Sequence, residues 1–120
     1  MKRIPWSLEE SVILHDAYMR ILNKQTTKAD AIVEVSQKLR KIAENFGLEI
    51  DEKFRNTNGI TMQLNIMEYV VTNGQRGLGH PPKVFIQVSE LYNNNYQTYA
   101  SILLRGCNVN NDNKDKEKVE

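Results

Sequence analysis

The amino-acid sequence predicts an all-α protein of four or five helices. Apolar residues recur three and four positions apart in successive stretches, which is the repeat of a helix with one buried face. Good helix-starting residues stand just before these stretches: Ser7, Thr27 and Pro82. No segment shows the strict alternation of a half-buried strand, and no pair of segments is joined by a hairpin turn.

The first helix is expected to start at Ser7. Ser7 followed by Glu10 has the spacing of a capping box, and the acids at Glu9 and Glu10 suit the positive end of a helix dipole. The helix runs to about Leu22. Leu8, Val12, Met19 and Leu22 form one apolar stripe, and Leu14, Tyr18 and Ile21 form an adjacent one, so several neighbours should touch this helix. Trp6 is expected to pack as a lid over it. A polar connector, 23–27, leads to Thr27 and Asp30, a second cap pair. The next helix should extend to about Phe46, burying Ile32, Val35, Leu39, Ile42, Ala43 and Phe46. Gly47 suits the left-handed residue after a helix end. An acidic connector follows, with Ile50 and Phe54 as anchors.

Residues 51–74 look like the centre of the arrangement. A polar turn ends in Gly59, and a helix follows in which Ile60, Leu64, Met67 and Val71 share one stripe. Met62, Ile66 and Val70 are expected to widen the buried side. Thr61, Asn65, Glu68 and Thr72 fall together on the other side, giving an exposed face rich in amides and hydroxyls with one charge. Lys53, Arg55 and Arg76 flank the ends. The loop GQRGLGH, starting at Gly74, reads as a flexible connector. A fourth helix starts near Pro82 with Val84, Phe85, Val88, Leu91 and Tyr92 inward. Asn93, Asn94 and Asn95 end or kink it. A short last helix, 96–105, turns Tyr99, Ile102 and Leu103 inward, and Gly106 closes it. Residues 1–106 thus read as one helical domain, and 107–120 as a disordered tail or linker.

With 120 residues, 40% hydrophobic and 26% charged, the chain is the size and composition of one soluble domain able to bury a core. Its net charge of +1 gives no global signal for nucleic acid. The distribution is uneven: residues 53–106 carry 5 Lys/Arg against 2 Asp/Glu. The single cysteine, Cys107, cannot form an internal disulfide, no apolar run is long enough to span a membrane, and no signal-peptide core opens the chain. A cytoplasmic location with no membrane association is the expectation.

Catalytic, metal and cofactor chemistry are not expected. His15 neighbours Asp16, but adjacent helical residues point about 100° apart and make no dyad. His80 has no acid near it in sequence. No His, Cys or carboxylate grouping has metal-ligand spacing. The glycine loop follows a helix and lacks a Gly-Lys-Ser/Thr ending, so it is no P-loop; Arg76, His80 and Lys83 would instead be available to a nucleic-acid backbone.

Two resemblances follow from these residues. Trp6-Ser7-x-Glu9-Glu10-x-x-x-Leu14, a second helix, and an Arg55-Asn56-Thr57 turn before a third resemble Myb/SANT-type, homeodomain-like three-helix domains. Their third helix lies in the major groove, and some SANT-type members bind proteins instead. The later tryptophans of that repeat are missing here, and the third-helix face lacks arginine and lysine. Phe54-Arg55-Asn56-x-Asn58-Gly59-Ile60-x-Met62 with Gly77-Leu78 resembles an N-terminal accessory domain of bacterial McrA-like HNH restriction endonucleases and related defence or mobile-element proteins. That resemblance spans most of 6–105 and implies a targeting module; the nuclease's own metal motif is absent.

Together these features predict a trihelical core with added C-terminal helices, and a non-catalytic module that binds double-stranded DNA. Asn58, Thr61, Asn65, Glu68 and Thr72 would face the groove beside Asn56. Lys53, Arg55, Arg76 and Lys83 would hold phosphates. The alternative is a protein-interaction or homodimerisation domain, favoured by the near-neutral charge and the low-charge third helix.

Overall fold

The structure, a computed structural model, describes residues 4–106; the expected tail lies outside the described residues. Four helices run Leu8–Leu22 (α1), Lys28–Asn45 (α2), Thr57–Val71 (α3) and Lys83–Asn94 (α4). A fifth, α5, covers 96–106. The described residues contain no strand, so the all-α prediction holds.

The organising element is α1 rather than α3. Helix α1 packs against α2, α3 and α4, and from Glu10 to Tyr18 only Asp16 escapes full burial. The apolar residues of α1 serve two cores. Leu14, Ala17 and Tyr18 join Val35, Leu39, Ile60, Leu64 and Met67 in the main core. Val12 instead joins Val88, Tyr99 and Ile102 in a second core against α4 and α5. Trp6, expected as a lid over α1, packs at the edge of the main core and meets Phe85 of α4 edge-on, ring centres 5.6 Å apart.

Start signals are realised as spaced in sequence. Ser7 and Glu10 form a reciprocal capping box, and the Thr27 side chain accepts from the Asp30 amide. Helix α3, however, begins three residues earlier than expected. Asn56 is its N-cap, and the Asn56 side chain accepts from the Gly59 amide at 2.8 Å. Gly59 therefore sits inside the first turn instead of ending the turn before it.

Three expected core residues are outside, the first being Leu22, the last residue of α1, which is 43% exposed. Phe46 is the C-cap of α2 and is 67% exposed, because the helix ends there beyond the reach of its neighbours. Met62 is 53% exposed. The buried stripe of α3 is only Ile60, Leu64 and Met67. At 100° per residue Met62 points about 160° away from that stripe, with Tyr69 beside it.

Candidate interaction surface

The turn before α3 holds Arg55, expected to be a phosphate contact. Its backbone is left-handed, φ 48°, and this turns the side chain inward, where it is 9% exposed. Arg55 Nε donates to Glu10 Oε2 at 2.8 Å and Nη2 donates to Oε1 at 3.1 Å. Nη2 also reaches the carbonyl oxygens of Ile4 and Pro5. The guanidinium lies over the rings of Trp6 and Phe54, 4.7 and 4.6 Å from their centres. Its own carbonyl accepts from Ser36 Oγ at 2.7 Å. Every feature of a buried, hydrogen-bonded ion pair is present, so the arginine ties the N-terminal arm and α1 to the α2–α3 connector. Sequence reading missed this partner. Glu10 had already been assigned to the capping box, and one carboxylate serves both: its Oε1 also accepts from the Ser7 amide.

The polar stripe of α3 is a flank rather than a free ridge. Thr61 Oγ1 donates to the Thr57 carbonyl within the helix. Lys28 Nζ donates to Asn65 Oδ1 at 3.1 Å, and Tyr18 donates its hydroxyl to Glu68 Oε2 at 3.3 Å. Burial, followed by the Glu68 charge and hydrogen bond, raises the Tyr18 phenol, while the Arg76 cation opposes them.

The same flank seats the glycine loop. The Leu78 amide donates to the Asn65 carbonyl at 3.0 Å. The Arg76 amide donates to Thr72 Oγ1 at 3.0 Å, and that hydroxyl in turn donates to the Glu68 carbonyl. Gly77, φ 88°, lies so close to α3 that a Cβ would overlap the Asn65 carbonyl oxygen and stand 2.6 Å from the Tyr69 amide nitrogen. The expected flexible connector is thus a fitted cover over Asn65, Glu68 and Thr72.

Four predicted site residues remain outward: Lys53, Asn58, Arg76 and Lys83 are exposed. Lys53 precedes α3, whereas Arg76 and Lys83 follow it. A helix of 15 residues spans about 22 Å, so Lys53 and Arg76 stand at its two ends, while Lys83 opens α4. The side of α3 away from its buried stripe carries the exposed Met62 and the half-buried Tyr69, whose ring lies beside Gly74 and Gly79. Beside Tyr69 an open groove of about 380 Å³ runs between α3 and α4, with Val70, Pro81 and Ile86 among its lining.

His15 is buried, facing α4 and α5. Its Nδ1 and the Tyr99 hydroxyl are hydrogen-bonded at 2.8 Å, and the rings of Tyr92 and Tyr99 surround it. Burial lowers its pKa to about 4, so the imidazole is neutral near pH 7. Among the described residues no group of three or more His, Cys, Asp or Glu side chains is placed to hold a metal ion. No described helix is long and apolar enough to cross a membrane. No family model, curated protein or solved structure matches the chain.

Proposed function

We propose that this chain is a non-catalytic protein-docking module whose contact surface is the outward side of α3 together with α4. The observation that carries the proposal is the glycine loop seated on α3. It occupies the Asn65–Glu68–Thr72 flank that a DNA reading needs free. What α3 offers outward instead is the exposed Met62 and the half-buried Tyr69, with the exposed Ile86 across the groove. Tyrosine and methionine in a patch poor in charge are the composition enriched in protein interfaces. Such a module fits the accessory role implied by the resemblance to McrA-like N-terminal domains, where an effector elsewhere performs the chemistry.

Duplex DNA is the second reading. It is favoured by Lys53, Arg76 and Lys83, none of which is in an ion pair among the described residues. The two readings separate in a titration of duplex DNA at several salt concentrations. Protein docking predicts no binding tighter than ~10⁻⁴ M, the weak end of non-specific affinity. A steep loss of a tighter affinity with salt, together with its loss in Lys53→Ala and Arg76→Ala, would reverse the order of the two.

A further inference from the structure

We propose that the α3–α4 groove binds an extended peptide segment by its main chain and prefers one carrying a basic side chain; this rests on the docking reading above. The groove is lined by amides from both walls, Asn73 from the end of α3 and Asn93 and Asn94 from the end of α4. Ser89 and Tyr69 add two hydroxyl-bearing side chains. Among the described residues, none of these five side chains makes a hydrogen bond to another residue. An asparagine amide presents one acceptor and a pair of donors, which is the complement of a peptide N–H and C=O. In an extended chain the two sides of the backbone alternate their polar groups every second residue. Amides on opposite walls therefore engage one backbone from both edges, while Val70 and Ile86 receive an intervening side chain.

Charge selects among occupants. Glu90 is the one charged residue in the lining, and no cation lines the groove. A phosphate backbone is disfavoured there, and so is an acidic peptide. Lys83 lies seven positions before Glu90 on the same side of α4, about 10 Å along the helix, so it marks the groove's end without neutralising its middle. With few apolar lining residues, an amphipathic helix would find little to bury its stripe against. A basic residue beside an apolar one on an extended strand meets each feature of the lining.

The test uses the full chain, ¹⁵N-labelled, and three capped heptapeptides of alternating threonine and valine with a central lysine, a central glutamate, or a central lysine with alternate backbone nitrogens methylated. The lysine peptide is expected to move the side-chain amide resonances of Asn73, Asn93 and Asn94. The glutamate peptide, and the lysine peptide against Glu90→Gln, should bind about two- to fivefold more weakly, the scale of an exposed ion pair. N-methylation should abolish binding, and so should Asn93→Ala with Asn94→Ala, both exposed positions at a helix end. Equal binding of the methylated peptide overturns the main-chain assignment. Amides that stay still overturn the groove as the site. Shifts that grow with protein concentration alone mean a second copy is the occupant and overturn it too. A duplex oligonucleotide added to the same sample keeps the two levels apart: movement of Lys53, Asn58 and Arg76 removes the docking reading itself, whereas stillness toward both peptide and DNA removes only the groove.

Discussion

The two connectors that bracket α3 are held in opposite ways. The turn before it is fixed by side chains: Arg55 reaches into a carboxylate, two aromatic faces and two carbonyls, while Arg40 donates to the carbonyls of Asp51 and Phe54. The loop after it is fixed by backbone: amides of Arg76 and Leu78 bond to α3, and Gly77 permits the approach by having no side chain. Residue type in a connector does not tell where that connector points. A cation in the first proves to be interior, and glycines in the second prove to mark contact rather than looseness. Both outcomes move the candidate surface away from the polar stripe of α3 and toward its Met62–Tyr69 side.

The side-chain connector is the easier to break. Arg55→Ala leaves Glu10, 12% exposed in its side chain, without its cation, and removing one partner of a buried pair costs about 3–5 kcal/mol. The N-terminal arm loses its tie as well, so Trp6 should become more exposed. Urea unfolding with tryptophan fluorescence reads both effects. Lys53→Ala, two residues away and exposed, should lie within about 0.5 kcal/mol of the parent. Equal effects from the two variants would mean that the inward pair contributes little.

The backbone connector should fail more gently and in one place. Gly77→Ala adds a Cβ that meets backbone atoms on α3, which cannot turn aside as a side chain can. The strained φ alone costs on the order of 1–2 kcal/mol for a residue other than glycine. If the loop lifts, the Leu78–Asn65 bond goes too, for about 1 kcal/mol more. The expected total is about 2–3 kcal/mol, with faster amide exchange at Leu78. Gly79 is the control: its φ is not positive and its Cβ would meet the Tyr69 ring at 3.8 Å, an ordinary contact. Gly79→Ala should therefore leave Leu78 protected. The pair also bears on function, because lifting the loop uncovers the polar flank of α3. DNA binding gained in Gly77→Ala would show that flank to be a masked reading face.

The same contrast sets what was legible in the sequence. Helix starts were, because Ser7 with Glu10 and Thr27 with Asp30 act within one turn and need no tertiary knowledge. The main inward stripes were, because Val35, Leu39, Ile60 and Leu64 obey a period set by the helix itself. Phe46 was misplaced by extending that period past the neighbour that would cover it, and Met62 by widening the stripe onto the opposite side of the helix. The partners of Arg55 were not legible at all: Glu10 lies 45 positions away. Nor was the seat of Gly77, since its reason is the proximity of an α3 carbonyl that only the folded chain supplies. For the candidate surface, residue types were visible, but which of them face solvent was decided by these two long-range closures.

Acid offers the smallest and most general perturbation, and its clearest target is a buried imidazole that belongs to neither connector. His15 is 1% exposed and faces Tyr92 and Tyr99, toward α4 and α5. Its pKa falls from 6.5 to about 4 on folding through burial, so between these values the unfolded chain binds the proton more tightly. The sign follows: this contribution to stability is fully present above pH 6.5 and is lost as pH falls toward 4. At pH 5 the loss should be about 2 kcal/mol by linkage, relative to pH 7.5. Urea midpoints at the two values measure it. Since the imidazole belongs to neither connector, Gly77→Ala should shift the whole stability curve down without changing its slope through this window. His15→Gln should flatten that slope while leaving Leu78 protected. A slope that persists in His15→Gln would assign the acid sensitivity to another group, and a slope altered by Gly77→Ala would mean that the loop and the His15 pocket unfold together rather than as separate parts.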